Sequence, residues 1–471
     1  MTGVRKRPLV EEAVLLGSLL KWLVLSTLAG AVAGLGAVVF LKGLHYSVDY
    51  MARMVPVWRL AILPVMGGLS GWIVWRFAPQ AAGHGTEAVI AAVHDRDGDI
   101  PFRVVPVKAL ATIISLAGGG SAGKEGPCTQ IGSGLASALA RLLRLSPADR
   151  RRLAICGIGA GFTAVFGTPL GGAIFAIEVL FGGAVLYDIL FPSLVAGFTA
   201  YQVSQWFHVH YVRPTVPVAV GSGELAFLKA LMLGALLGLV ALALIEALEA
   251  AERFFHRLSL PAPVRPVVGG VVLVAMALVA GTEYLGMGSE TIEQALAGAA
   301  LPPAAFLWKL VFTAVTLGSG WSGGVMFPIF FIGATAGSWA APLLGLDRAA
   351  GAAMGLSALL AGATNAPIAS SVIAVEMFGP EVGVYAAAAC LASFIMSGHR
   401  SVYPSQVLVM RKTPALKVPL RRPVREVEDQ VQLAAGLLRW IAKWRRHARH
   451  FRKPHFRPGG GRRDASHGNT L

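Results

Sequence analysis

The residues of this chain best suited to chemistry are Lys124 and Glu125, which stand side by side in the stretch AGGGSAGKEGPCTQIGSG, residues 117–134. Seven glycines surround this charge pair, and apolar segments flank it on both sides. An ionisable group inside an apolar membrane segment is a functional candidate by default, because it is costly to keep there. Lys124 and Glu125 are therefore the first candidates for a functional site.

Two glycine clusters each open an apolar helical stretch. GGGSAGKEGP precedes CTQIGSGLASALARLL, and GSGWSGGVMFP precedes IFFIGATAGSWAAPLL. Glycine lets the backbone turn freely, and a helix that begins there points unpaired N–H groups and its positive dipole end at the membrane interior. Two such helix starts that converge would hold a dehydrated anion without a full positive charge. The alternative, that the glycines only allow close helix packing, stays open.

The composition indicates an all-α integral membrane protein. Of the 471 residues, 55% are hydrophobic and 14% are charged, whereas soluble domains carry about 25% charged residues. Crossing a bilayer takes roughly 20 apolar residues, and we expect such spans near 13–42, 59–77, 185–207, 223–248, 264–286 and 380–397. Glycine, proline or charge interrupts the further apolar blocks 104–117, 126–143, 153–166, 169–182, 305–317, 325–345 and 352–378, as in the broken helices that line a cavity.

The positive charge is concentrated at the end of the chain. Residues 411–471 hold 16 Lys/Arg against 4 Asp/Glu, out of a net charge of +16. Basic segments beside membrane helices are typical of the cytoplasmic side, so we expect both termini in the cytoplasm of a bacterium, with the protein in the inner (plasma) membrane. Residues 433–451 have the pattern of a surface-lying amphipathic helix. No nucleic-acid partner is expected.

An internal repeat divides the chain into two related halves. An offset of 198 residues places Pro169 on Pro367, Glu178 on Glu376 and Gly126 on Gly324. We predict a cytoplasmic N-terminus at 1–12, membrane halves at 13–207 and 223–410, a linker at 208–222, and a basic cytoplasmic tail at 411–471. The two matched glutamates are interpreted as structural, since each could accept hydrogen bonds from neighbouring backbone.

These motifs resemble the CLC family of chloride channels and chloride/proton antiporters. GKEGP, 123–127, is similar to the family's Gly-Arg/Lys-Glu-Gly-Pro motif, GGVMFP, 323–328, resembles its Gly-x-Phe-x-Pro region, and PVK, 106–108, precedes the first motif at the family's spacing. The match covers about residues 20–410. It implies a homodimer in the membrane lipid, with one anion pore in each subunit formed by two related halves of tilted and broken helices. It also implies that Glu125 is the outer gate, a carboxylate that occupies an anion site until it is protonated or displaced.

The resemblance also assigns anion-binding positions. They are Gly83, His84, Gly85, Gly123, Lys124, Gly126, Gly324, Val325, Met326 and Tyr403. His84 stands where the family's Gly-Ser-Gly-Ile-Pro motif has its serine; because histidine can donate a hydrogen bond and become cationic near neutral pH, we expect acidification of the inner face to raise anion binding through it. The alternatives are that His84 points away from the anion and that Tyr403, at the family's central tyrosine, is an interface anchor.

Val179 lies where many antiporters of the family carry an internal proton-relay glutamate. Because valine cannot carry protons, we predict glutamate-gated passive transport of chloride through a channel; the alternative is a chloride/proton antiporter. Fluoride, nitrate and bromide stay open as the physiological anion. No HExxH pair, GxSxG elbow or P-loop indicates an enzyme, and neither a cofactor nor a metal is expected.

Overall fold

The computed structural model describes residues 8–209, 211, 224–427 and 430–433, and these residues are predominantly helical. The helices of the first half are α1 (Pro8–Ala52), α2 (Pro56–Phe77), α3 (Thr86–Asp95), α4 (Val104–Ala117), α5 (Glu125–Leu142), α6 (Pro147–Phe166), α7 (Pro169–Glu178) and α8 (Tyr187–Trp206). Those that follow are α9 (Glu224–Arg257), α10 (Arg265–Ala280), α11 (Ser289–Leu296), α12 (Ala305–Gly318), α13 (Met326–Ala340), α14 (Arg348–Thr364), α15 (Pro367–Phe378), α16 (Pro380–Met396) and α17 (Val424–Val427). Short 3-10 helices lie at Pro79–Ala81 and Ala341–Leu344.

Four stretches within the described residues are helices long and apolar enough to cross a membrane. They are Val10–Ala52, Pro56–Phe77, Glu224–Arg257 and Met326–Leu344. The first three correspond to the expected uninterrupted spans 13–42, 59–77 and 223–248. The fourth corresponds to the block 325–345, which was expected to be broken. The expected spans 264–286 and 380–397 form shorter helices, α10 and α16, of 16 and 17 residues. The block 352–378 is divided between α14 and α15 at Asn365, whose φ is 55°.

Helix packing repeats in the two halves. Helix α5 packs along α6 as α13 packs along α14, and α1 packs against α8 as α9 packs against α16. Small residues make these close contacts possible, and every residue of α14 from Ala349 to Thr364 is buried. The expected architecture of two related halves of broken helices is therefore present.

The structure corrects the register of the repeat around the glycine clusters. The offset of 198 holds where α7 and α15 begin, but α5 begins at Glu125 and α13 at Met326, an offset of 201. Gly119 and Gly320, also 201 apart, both have φ of 99°, which favours glycine at the two equivalent turns. The difference arises because α6 has 20 residues and α14 has 17, about one helical turn less.

The two repeated glutamates join the halves. Glu178 accepts hydrogen bonds from the backbone N–H groups of Ile368 (3.1 Å) and Ala369 (2.7 Å) at the start of α15. Glu376 in turn accepts from Leu170 (3.0 Å) and Gly171 (2.7 Å) at the start of α7. Each carboxylate thus caps a helix of the opposite half, in agreement with the structural role predicted for both.

The first part of the basic tail packs onto the membrane-embedded part. Strand β1 (Phe181–Gly182) pairs in parallel with β2 (Val407–Leu408), which pairs antiparallel with β4 (Arg422–Pro423). Strands β3 (Leu416–Lys417) and β5 (Gln432–Leu433) form a second antiparallel pair. The amphipathic helix predicted at 433–451 lies outside the described residues beyond position 433.

Candidate functional site

The glycine-rich starts of α5 and α13 meet directly. The backbone of Gly123 donates to the carbonyl of Gly324 at 2.7 Å, and Gly324 donates back to Gly123 at 2.8 Å. Side chains here would be excluded, since a Cβ at Gly126 would collide with the carbonyl oxygen of His84. Two helix N-termini, one from each half, therefore converge on a small volume that favours negative charge.

The carboxylate of Glu125 occupies this volume. Its side chain is completely buried, and Oε2 accepts a hydrogen bond from the backbone N–H of Phe327 in the first turn of α13, at 3.2 Å. Its other oxygen, Oε1, is buried without a hydrogen-bond partner in the described part of the chain. The family resemblance predicts anion contacts at the neighbouring N–H groups of Val325 and Met326. The carboxylate of Glu125 instead binds the N–H of the next residue, Phe327, at the same helix start.

Lys124 does not form an ion pair with Glu125 within 4.0 Å in the described chain. Its ammonium instead lies 5.8 Å from the centre of the Phe327 ring. It lines a cavity of about 210 Å³ together with Lys42, His45 and His208. The two adjacent charges therefore face different surroundings, and the cavity beside Lys124 carries several basic groups.

The loop that carries His84 also lies against the start of α5, next to Gly126. The ammonium of Lys108 donates to the carbonyl oxygens of Gly83 (2.7 Å) and Ala81 (3.1 Å) and so fixes the loop. The Nδ1 atom of His84 is buried without a hydrogen-bond partner in the described chain. A second positive charge on His84 would lie close to this ammonium, so the geometry gives no support to His84 as the group that charges near neutral pH.

Tyr403 completes the cluster of unpartnered polar atoms. Its side chain is fully buried, and its hydroxyl lies beside the Thr86 side chain without a hydrogen bond of standard geometry to any described residue. Its backbone is held in place, because Tyr403 N donates to Ser401 Oγ at 3.1 Å and Val402 N donates to the carbonyl of Ala363 at 2.9 Å. The ring of His84 lies beside the backbone of Val402, so the two side chains come from adjoining segments.

Val179 is buried at the end of α7 and offers no ionisable group. Its carbonyl accepts from Gln406 Nε2 at 2.8 Å, and the same amide nitrogen donates to the carbonyl of Thr364 at 3.0 Å. Gln406 Oε1 accepts from Asn365 Nδ2 at 2.9 Å. The side chain of Gln406, next to Val179, therefore links the ends of α7 and α14 through hydrogen bonds.

Sequence reasoning missed two residues near this site, Glu87 and Lys412. Glu87 Oε1 accepts a hydrogen bond from the backbone of Ser405 at 3.0 Å. Lys412 Nζ donates to Asn365 Oδ1 (2.7 Å), to Ser397 Oγ (3.2 Å) and to the carbonyl of Phe394, and burial lowers the pKa of Lys412 to about 7. Their sequence signal was weak, because a single glutamate near a glycine and a single lysine in a basic tail are common.

The arrangement suits an anion rather than a reaction. The starts of α5 and α13 meet at Glu125, the Tyr403 hydroxyl lies within electrostatic reach of its carboxylate, and the described residues contain no group of three metal-ligating side chains. An anion could replace the carboxylate at the N–H groups of α13, and a hydroxyl such as that of Tyr403 could donate to it. These are the elements of an anion site that a carboxylate can close.

Comparison with known proteins identifies relatives of this architecture. Residues 66–398 match the profile of the voltage gated chloride channel family. The chain is 38% identical over 414 residues to a chloride/fluoride channel protein of Pseudomonas syringae pv. tomato, covering 85% of this chain and 89% of the relative. It is 29% identical over 358 residues to the voltage-gated ClC-type chloride channel ClcB of Escherichia coli O9:H4, covering 72% and 84% of the two chains.

Solved structures share the fold. A CLC-type fluoride/proton antiporter superimposes with a TM-score of 0.78 at 29% identity, over 83% of this chain and 98% of its own. A slow cyanobacterial Cl⁻/H⁺ antiporter superimposes with a TM-score of 0.72 at 20% identity, over 81% and 96% of the two chains. The all-α CLC fold expected from the sequence motifs is thereby confirmed.

Proposed function

The chain belongs to the voltage-gated chloride channel (CLC) family of membrane anion transport proteins, and from that premise we propose that it exchanges a small anion, chloride or fluoride, for protons. The observation that carries the proposal is the hydrogen bond between Glu125 Oε2 and the N–H of Phe327. A carboxylate and a halide compete for this donor. Protonation of Glu125 removes its negative charge and weakens its hold on the helix start, which admits an anion.

The identity of the anion is proposed from the relatives. The Pseudomonas syringae relative is described as a chloride/fluoride channel protein, and the superimposed structure at 29% identity is described as a fluoride/proton antiporter. His84 stands where the family motif has a serine, so chloride selectivity need not be retained. We therefore propose that fluoride is transported alongside chloride.

A passive anion channel is the second candidate. Val179 favours it, because the position at which many family antiporters carry an internal glutamate is apolar and fully buried here. Without a proton acceptor on that side, anion flux would run uncoupled. The closed position of Glu125 favours exchange, since each anion that enters this site must displace a titratable carboxylate.

The orientation and assembly are also proposals. The 16 Lys/Arg of residues 411–471 support a cytoplasmic tail, and Arg5, Lys6 and Arg7 support a cytoplasmic N-terminus in a bacterial inner (plasma) membrane. The family resemblance supports a homodimer in which each subunit has its own anion path.

Purified protein in liposomes tests the proposed exchange. Vesicles loaded with KCl or KF are diluted into low-anion buffer, and released anion and external pH are recorded together. We expect anion efflux to drive proton uptake against a proton gradient. Efflux with no proton movement would establish the passive channel instead.

Glu125→Gln is the diagnostic variant in the same vesicles. The amide mimics a permanently protonated gate, so we expect anion release to continue while proton uptake is lost. The control is Glu381→Gln, the same change at an exposed position in the first turn of α16, which should behave like the wild type. Loss of anion release in a folded Glu125→Gln protein would contradict the gate assignment.

A further inference from the structure

We propose that Glu87 is the cytoplasmic proton-exchanging carboxylate of this protein, in place of the glutamate that is absent at Val179. This inference rests on the proton-coupled function proposed above. It starts from Glu87 Oε2, which is buried without a hydrogen-bond partner in the described chain, whereas Oε1 is satisfied by the backbone N–H of Ser405. One oxygen therefore positions the side chain and the other is left for a proton.

The position of Glu87 joins the anion path to the tail side of the protein. It is the second residue of α3, directly after Thr86, whose hydroxyl lies 2.8 Å from that of Thr129 on α5. Thr129 in turn donates to the carbonyl of Gly126 at 2.7 Å, within the first turn of the helix that carries Glu125. Glu87 also contacts Ser405, which lies two residues from Tyr403. The hydroxyl of Tyr403 is within electrostatic reach of both Glu87 and Glu125.

Solvent access also distinguishes Glu87 from its neighbours. Tyr403 and Val179 are completely buried, whereas Glu87 keeps partial exposure. The charged groups that act on it from other elements, Arg425 on α17 and Glu252 on α9, are both exposed. Glu87 thus stands at the boundary between the buried path and the solvent on the side where the tail begins.

The surrounding charges permit either protonation state. The start of α3 and the guanidinium of Arg425 favour the carboxylate, whereas burial and the carboxylate of Glu252 favour the protonated acid. The titratable or charged groups on α3 and on the elements around it are Lys108 on α4, Glu125 on α5, Arg151 on α6, Glu252 on α9, Arg425 on α17, Tyr403 on the segment before β2, and His84 and His94 near the two ends of α3. A carboxyl group balanced in this way can gain and lose a proton during each transport cycle.

The proton step is simple. A hydronium ion of the cytoplasmic solution gives its proton to Oε2 of Glu87 and leaves as water. The O–H bond formed there breaks when the proton passes, by way of water in the anion path, to the carboxylate of Glu125. Glu87 returns to a carboxylate, and the protonated Glu125 leaves the N–H of Phe327 for an anion.

Glu87→Gln separates this role from a structural one. The amide oxygen can still accept the hydrogen bond from Ser405, but the side chain can no longer take a proton. In the liposome assay we expect the ratio of protons to anions to fall at least about tenfold, with anion release continuing. Glu426→Gln, the same change at an exposed position next to Arg425, should keep the wild-type ratio.

Glu87→Asp provides the rescue and the check on folding. A shorter carboxylate keeps a titratable group, so we expect it to restore part of the proton coupling that Glu87→Gln loses. A wild-type protein that moves no protons would overturn both this inference and the proposed exchange. A coupled wild type with an equally coupled Glu87→Gln, or a Glu87→Asp variant as uncoupled as Glu87→Gln, would overturn the role of Glu87 alone.

Discussion

Two lysines that are fully buried in the described part of the chain, Lys108 and Lys309, are satisfied by backbone carbonyl groups. Lys108 binds the carbonyls of Ala81 and Gly83, and Lys309, which lies 201 residues later, binds those of Tyr284 and Gly286 at 3.1 and 2.7 Å. Each lysine thereby holds the glycine-containing loop that precedes a short helix. These lysines therefore have structural contacts, whereas one carboxylate oxygen each of Glu125 and Glu87 is left unpartnered in the described chain, as the proposed proton exchange requires.

Tyr403→Phe tests the proposed contact between the Tyr403 hydroxyl and the anion. The substitution removes one hydroxyl from a fully buried side chain and leaves the ring in place. A lost hydrogen bond of about 1 kcal/mol corresponds to a roughly fivefold weaker anion affinity. We expect that change in chloride and fluoride titrations by calorimetry, with Tyr385→Phe on α16 unchanged; equal affinities for Tyr403→Phe and the wild type would make Tyr403 an interface anchor.

The N-termini of α5 and α13 can form one site because their backbones can approach each other. Their pairing through Gly123 and Gly324 requires that no side chain intervene. Glu125, which binds the start of α13, belongs to α5, so in the proposed function the same helix supplies part of the anion site and the carboxylate that closes it. Small residues in these turns are therefore required by the site as well as by packing.

Gly126→Ala tests this requirement. The added Cβ would collide with the carbonyl oxygen of His84 and lie 3.1 Å from the Cα of Gly324. Both neighbours are backbone atoms, so relieving the collision requires a backbone shift. We expect a loss of about 1–3 kcal/mol or more in stability, seen as a lower melting temperature, together with reduced anion flux. Gly17→Ala is the matched control, since nothing lies within 4 Å of a Cβ there on α1; similar behaviour of the two variants would contradict the close approach.

At the scale of the whole molecule, the halves are held together by reciprocal contacts. Glu178 and Glu376 cap each other's helices, and the hydroxyls of Thr112 and Ser322 (3.0 Å) mirror those of Thr313 and Ser121 (3.2 Å). Such pairing of each half with the equivalent groups of the other is what a pseudo-two-fold relation produces. The proposed anion site lies where the two halves meet, so its geometry depends on both.

Glu178→Gln tests the stabilising role of these caps. An amide can offer only one oxygen to the two N–H groups at the start of α15, and each hydrogen bond to a charged group contributes about 1.5–3 kcal/mol. We expect a lower melting temperature in detergent, with the ratio of protons to anions unchanged in liposomes. A variant of normal stability that lost proton coupling would instead make Glu178 the inner proton carrier.

Short-range patterns were enough to predict the class and the main motifs. Apolar length, glycine clusters and the charge pair of Lys124 and Glu125 predicted a membrane protein with broken helices and an anion site, because these features depend on nearest neighbours along the chain. The repeat was also visible, since Pro169 and Glu178 recur together at Pro367 and Glu376. Its register at the glycine clusters was wrong by three residues, because the difference lies inside α6 and α14, where apolar residues look alike.

Only the tertiary structure could decide the partners of the buried groups. Sequence alone could not tell that Glu125 binds the N–H of Phe327, 202 residues away, or that Lys124 faces another cavity. Nor could it bring Glu87 to Ser405 across 318 residues. Hydrogen bonding in a membrane interior is satisfied through space, so which polar atoms are paired and which are left for an anion or a proton is a property of the packed fold.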